Sequence, residues 1–196
     1  MREMVSAGLA AKGRAVQAAL AKNPAASLMH PLKPVPGGAH VILFDAFPHS
    51  RASFYVGMVD DVVFYLTEAP EEFTSMMRAC GLRIDRPEVA VSVARAYIET
   101  TRSMRKFSGV IDSVDDIRMI PCRDAEEERL CRDATARLRG IVDPPSARKI
   151  GSRYVITAYV LCGSDLDLRT LTITEDCEIA SRNELIASDL PVPLSM

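Results

Sequence analysis

Between two apolar stretches the chain carries Phe44-Asp45-Ala46-Phe47-Pro48-His49-Ser50-Arg51. These residue types can do chemistry. A carboxylate at position 45 can orient the imidazole of His49 as a general base. Ser50 brings a hydroxyl that such a base could activate, and Arg51 brings a planar fork of donors for a phosphate or carboxylate. The same types also serve a plain strand connection, where Asp and Ser side chains satisfy loop backbone groups. On the chemical reading, Asp45 and His49 are the candidate catalytic pair and Arg51 a candidate ligand-binding residue. Tyr97 and Tyr159 are candidate hydrogen-bond donors in the same pocket.

Other reactive types are scattered. Arg102, Arg105 and Lys106 form a basic cluster at the end of a predicted helix, where cations complement the helix dipole. Arg148, Lys149 and Arg153 form a second, with room for a phosphate or carboxylate between them. No Gly-rich loop opens a helix, which argues against nucleotide binding of the P-loop or Rossmann kind. His30, His40 and His49 follow no ligand spacing, so neither a metal nor a cofactor is expected. The five cysteines, Cys80, Cys122, Cys131, Cys162 and Cys177, are odd in number and contain no C-x-x-C. They read as reduced thiols of a cytoplasmic protein, Cys80 and Cys162 buried, Cys122 and Cys131 beside a charged helix and partly exposed.

Composition narrows the classes further. With 196 residues, 48% hydrophobic and 26% charged, the chain can bury a core without metal or disulfide staples. A net charge of -2 lacks the basic excess of a nucleic-acid binder. Arginine far outnumbers the five lysines and alanine is frequent, as in high-GC bacterial genomes. The apolar runs are strand length, so no membrane span is expected. Lys12, Arg14 and Gln17 interrupt the N-terminal segment, so no signal peptide is expected either.

The elements that must position these residues follow from periodicity. Residues 4–22 read as one helix, with Leu9, Gly13, Val16 and Leu20 on a thin apolar face. Pro31, Pro34, Pro36, Gly37 and Gly38 read as a linker, making residues 1–36 an N-terminal helical arm. Strands are predicted at 40–44, 53–59 and 62–66, the last two joined by an Asp60-Asp61 turn. A helix starts at Pro70, with Phe73, Met76, Met77 and Cys80 inward and Gly81 past its end. Another starts at Asp85, with Glu88 completing a capping box, and runs to about residue 102. Residues 110–120 read as a bent strand. A charged helix from Asp124 to Arg139 has Leu130, Ala134 and Leu138 inward. Strands at 154–162, 166–174 and 177–185, joined by short loops, form an antiparallel meander whose Thr170, Thr172 and Thr174 mark a wet face. The tail 190–194 is extended, apolar and suited to packing across that sheet. All six Phe lie between residues 44 and 107, which places the largest core or a pocket in the first half of the body. A short echo, Val59-Asp60-Asp61-Val62 and Val114-Asp115-Asp116-Ile117, is better read as chance than as a duplicated unit.

The fold class is therefore α+β: antiparallel sheets with helices packed on one face, a C-terminal three-strand meander and an N-terminal helical arm. Residues 37–196 read as one domain, divisible into 37–121 and 122–196. Over about the last 75 residues, the helix followed by a meander resembles the cystatin-like and nuclear-transport-factor-like folds, in which a curved sheet wraps a helix. That resemblance implies a fold that hosts enzymes and binding modules alike. The favoured function is a non-catalytic binding or accessory module acting through a pocket or a protein interface. The alternative is a metal-independent small-molecule enzyme (an isomerase, cyclase or hydrolase) using Asp45, His49 and Arg51. A homodimer would cover the thin-faced helix and any free sheet edge; a small molecule or a protein is the further partner, with neither nucleic acid nor membrane expected.

Overall fold

The first 22 residues form two helices, α1 (Arg2–Ala11) and α2 (Ala15–Lys22). The predicted single helix breaks at Gly13, whose φ of +73° reverses the chain as only glycine does cheaply. The reversal also dismantles the predicted stripe. Val16 points outward, and the buried residues are Val5, Leu9, Ala18 and Ala21. The computed structural model describes residues 1–47 and 49–193. Pro48 of the polar loop and Leu194 of the tail lie outside the described residues.

Two antiparallel sheets follow. The first is β1 (Ser27–Pro31), β2 (His40–Ala46), β3 (Phe54–Val59) and β4 (Val62–Tyr65), in that spatial order. Strand β1 ends on Pro31, the first residue of the predicted linker, and pairs with β2 from Ser27↔Ala46 to Pro31↔Ile42, so the segment before the linker belongs to the first sheet. Pro31 is tolerated there because β1 is an edge strand. The β3–β4 hairpin turns on Asp60 and Asp61 as predicted, Asp60 taking a φ of +50°. Alternation divides the sheet. Ile42, Phe44, Phe54, Val56, Met58, Val63 and Tyr65 meet α1 and α2, while Val41, Tyr55, Phe64 and Leu66 face the other way. Phe44 and Phe54 stack at 5.1 Å between centroids. Each such fully buried aromatic contributes about 1.5–3 kcal/mol from burial.

Helices α3 (Pro70–Ala79) and α4 (Pro87–Thr100) lie against that second face. In α3, Phe73, Met76 and Met77 are fully buried, as the periodicity requires. Helix α4 starts two residues after the predicted cap. Pro87 occupies the first turn, so Arg86 becomes the N-cap, and no side chain caps it.

The second sheet has spatial order β5-β7-β8-β9, with β6 also on β7: β5 (Ser108–Ile111), β6 (Ser146–Ile150), β7 (Arg153–Cys162), β8 (Asp165–Thr174) and β9 (Ile179–Ala187). β5 and β6 share one edge of β7, end to end. The predicted bent strand is therefore only β5. A 3-10 turn at Val114–Asp116 follows, where Asp116 accepts from the Ser113 and Asp112 amides, so the echo of Asp60-Asp61 is not a second hairpin. Tyr154, Ile156, Ala158, Val160, Leu171 and Ile173 project from the second sheet onto α3 and α4.

α5 (Ala125–Leu138) covers part of the opposite face. Asp124 caps it as predicted, accepting from the Glu126 and Glu127 amides. Its buried stripe is Cys131, Ala134 and Leu138, and Leu130 is exposed instead. Leu190 and Val192 of the tail fill the remainder of this layer. The order of layers is thus α1 and α2, first sheet, α3 and α4, second sheet, α5, and the main core draws on both sheets. Among the described residues, no helix is long and apolar enough to cross a membrane.

Candidate functional site

The polar loop is built from both ends. At its start, Ser53 Oγ accepts the Ala46 amide at 2.9 Å and donates to Asp45 Oδ1 at 3.0 Å. Ser53 is buried, so the pairing satisfies an amide that would otherwise be stranded between β2 and β3. Further on, Ser50–Ala52 makes one 3-10 turn with His49 as its N-cap. His49 Nδ1 accepts the Arg51 amide at 3.2 Å, which makes Nε2 the protonated nitrogen of the neutral ring. No hydrogen bond joins Asp45 to His49: the carboxylate is engaged by Ser53 and the imidazole by its own turn.

The segment after α4 meets this loop across a gap. Arg102 is held on two sides, Nη1 donating to the Ser108 carbonyl and Nη2 to the Tyr55 hydroxyl, each at 2.9 Å. Its Nε is buried without a partner. Phe107 O accepts the Gly163 amide at 2.8 Å, which ties the segment to the β7–β8 turn. The result is a cleft of about 500 Å³ at one end of the interlayer space, between the tip of the first sheet and that turn. Asp45, His49, Ser50, Arg51 and Ser53 form one wall. Arg102, Arg105, Lys106 and Phe107 form the other, closed by Gly163 and Ser164.

The electrostatics of this cleft are one-sided. Arg51, Arg102, Arg105 and Lys106 supply four positive charges, against the single carboxylate of Asp45. None of the four forms an ion pair among the described residues. Some cations elsewhere are paired, as in Lys12–Glu72 at 2.8 Å and Lys149–Glu175 at 3.2 Å, and others stand alone on the surface; what distinguishes the cleft is that four of them border one concavity. Low-dielectric walls around like charges concentrate a positive potential inside a concave site.

The remaining sequence candidates lie apart from it. Tyr97 sits in the main core, its ring edge-on to Phe73 at 5.4 Å, and burial pushes its phenol above the ordinary range. Tyr159 faces the α5 layer on the opposite side of the second sheet. Neither lines the cleft. The cluster of Arg148, Lys149 and Arg153 lies on the β6–β7 hairpin, where Lys149 is bound to Glu175. Cys177 is the most enclosed thiol and Cys131 is also buried, Cys122 is exposed, and Cys80 and Cys162 are in between. Among the described residues, no group of three or more His, Cys, Asp or Glu is arranged to hold a metal ion.

A second hollow, about 450 Å³, lies on the far side of Phe107. Ile111, Leu161, Val192 and Pro193 make much of it apolar. Its carboxylates are already engaged, Asp112 by Arg95 and Asp116 by two backbone amides that hold its carboxyl below the ordinary range. Of its charged lining residues, Arg118 alone has no ion pair or side-chain hydrogen bond among the described residues, against four cations without an ion pair around the cationic cleft.

Sequence reasoning missed the joining of the two walls. It assigned Arg102, Arg105 and Lys106 to a helix terminus and Arg51 to a separate loop, and nothing local to either segment reports the contact. The available signal was weak: two polar, arginine-bearing loops, each following an apolar element. No protein-family model, curated protein or solved structure matches the chain.

Proposed function

We propose that the chain is a binding module for a small anion carrying phosphate or carboxylate groups, received in the cleft between residues 45–53 and 102–107. The observation that carries this reading is the gathering of Arg51, Arg102, Arg105 and Lys106 around one concavity whose only carboxylate, Asp45, is occupied by Ser53. Guanidinium groups present paired donors that match the oxygens of such anions. A volume near 500 Å³ suits a small molecule rather than a macromolecular surface.

A binding role is favoured over catalysis by the hydrogen bonding. A general base needs a free acceptor aimed at the substrate and a partner that orients it. His49 spends Nδ1 on its own turn, and Asp45 is bound to Ser53 rather than to His49.

The test is calorimetric titration of the full chain with pyrophosphate and with citrate, at low and high salt. Binding by both probes that weakens as salt rises is expected. Arg51→Glu and Arg105→Glu should each weaken it at least tenfold, since a charge-assisted hydrogen bond contributes about 1.5–3 kcal/mol. Absence of binding by either probe, with the chain folded, would refute the reading.

A further inference from the structure

Among the described residues, the longest uncovered sheet edge is β9, nine residues from Ile179 to Ala187. Arg182, Asn183, Glu184 and Leu185 are all exposed along it. The segment contains no Pro and no Lys, its two charged residues, Arg182 and Glu184, are of opposite sign, and its one irregularity lies at its C-terminal end, opposite Leu166 and Asp167.

The backbone direction can be read from the hairpin. The Thr174 amide donates to Glu178 O at 3.0 Å, so Thr174 and Glu178 are a hydrogen-bonded pair. Such pairs alternate along an antiparallel ladder. In the observed register, Thr172↔Ala180, Thr170↔Arg182 and Leu168↔Glu184 are therefore bonded pairs. Ser181, Asn183 and Leu185 turn their amides and carbonyls outward. Arg182 and Glu184 project from the sheet face opposite the main core, the face that carries Thr170 and Thr172. Neither has an ion pair among the described residues, whereas the nearby Glu175 and Glu178 are paired with Lys149 and Arg78.

We infer that β9 is the docking edge for a second copy of this chain, paired antiparallel about a two-fold axis through Asn183. In that register the outward backbone groups of Asn183 bond to their symmetry mates, and those of Ser181 bond to Leu185 of the other copy. Arg182 of each copy then stands directly opposite Glu184 of the other, in a non-hydrogen-bonded pair. In such pairs the Cα atoms approach to about 4.5 Å and side chains interact most closely. Charge selects the register and the occupant together. A shift of two residues one way opposes Arg182 to Arg182, and the other way Glu184 to Glu184; like charges directly opposite destabilise a pairing. The interface is isologous, as closed two-fold assemblies require. It extends the second sheet across two molecules and leaves the cationic cleft outside the contact.

Sedimentation of the full chain over a concentration series tests this. The natural chain should be dimeric. Arg182→Glu alone places Glu opposite Glu, and Glu184→Arg alone places Arg opposite Arg. Each variant should therefore be monomeric, while its circular dichroism and cooperative thermal transition show it still folded. Mixed in equal amounts, the two variants should recover a dimer. The carboxylate introduced at position 182 of one then meets the guanidinium introduced at position 184 of the other, and the two unaltered residues pair as before. A monomeric natural chain, a dimer that survives either single substitution, or a mixture that stays monomeric would each overturn the inference.

Discussion

Arg102 Nη2 donates to the hydroxyl of Tyr55 at 2.9 Å, joining the end of α4 to the middle of the first sheet. Tyr55 is 1% exposed, so its hydroxyl has no solvent to fall back on, and the guanidinium is held facing the cleft wall it helps to form. Replacing Tyr55 by Phe preserves the ring and deletes only the acceptor. Arg102 then keeps one bond, to Ser108, with Nε already unpartnered. Tyr55→Phe should cost about 1–2 kcal/mol of stability. The urea midpoint should fall with an unchanged slope, and anion binding should weaken as Arg102 loosens. If stability falls while binding is untouched, Arg102 acts only as a strut.

Asp45 provides a test with the opposite sign. It is the one carboxylate in a cationic cleft, and Asn at this position can still accept the Ser53 hydroxyl. Removing a partly exposed negative charge changes anion affinity by roughly 0.5–1 kcal/mol. Asp45→Asn should therefore bind pyrophosphate about two- to fivefold more tightly, measured by calorimetry at low salt. Weaker binding would instead make Asp45 a direct contact or a proton acceptor.

What could be read from the sequence depended on how strongly each residue is dictated locally. Helix α3 was legible because Pro70 and Gly81 punctuate a stripe of Phe73, Met76 and Met77 that has only one inward solution. The meander was legible because its turns are short and its strands alternate. Strands β1 and β6 were not. Ser27–Pro31 ends in a proline, and Ser146–Ile150 holds Arg148 and Lys149; both are edge strands with little buried surface, so neither shows a period-two signal. Leu130 was misplaced by one position because Cys131 buries as readily as leucine. The loop at residues 45–51 was legible as polar and reactive. Its partner wall was not, because Arg102 reaches it only through the packing of α4 between two sheets.

Cys177 should report on alkaline stability. Burial, with a smaller contribution from Asp176, pushes its thiol from 9.0 up to about 11. The folded chain thus retains this proton at pH values where the unfolded chain has lost it. The contribution is complete below pH 9.0 and declines as pH rises through about 11. Cys177→Ala removes the titrating group. Between those two pH values, the urea midpoint should fall less steeply in the variant than in the natural chain. Identical slopes would show that the thiol is not held protonated by the fold. At pH 8, a thiol reagent should label the exposed Cys122 well before Cys177, which should react only on unfolding.

Gly8 marks how closely α1 lies on the first sheet. A Cβ built there would stand 2.6 Å from Val63 Cβ, closer than two carbons can approach. Gly8 lies in the interior of a helix, where Gly→Ala ordinarily stabilises by roughly 0.5–1 kcal/mol. Here the added methyl meets an atom fixed to the β4 backbone, which cannot rotate aside, so α1 must lift from Val63. Lifting would also open the contacts of Val5 and Leu9, both fully buried against the sheet. Gly8→Ala should therefore destabilise by about 1–3 kcal/mol, the usual cost of overpacking. Val63→Gly loses its own burial but removes the offending Cβ together with both γ-methyls, so the methyl added at position 8 no longer meets β4 there. The double substitution should consequently be more stable than the sum of the two single losses predicts, a coupling that a double-mutant cycle in urea measures directly. Strict additivity would mean that α1 is not held against β4 as the structure has it.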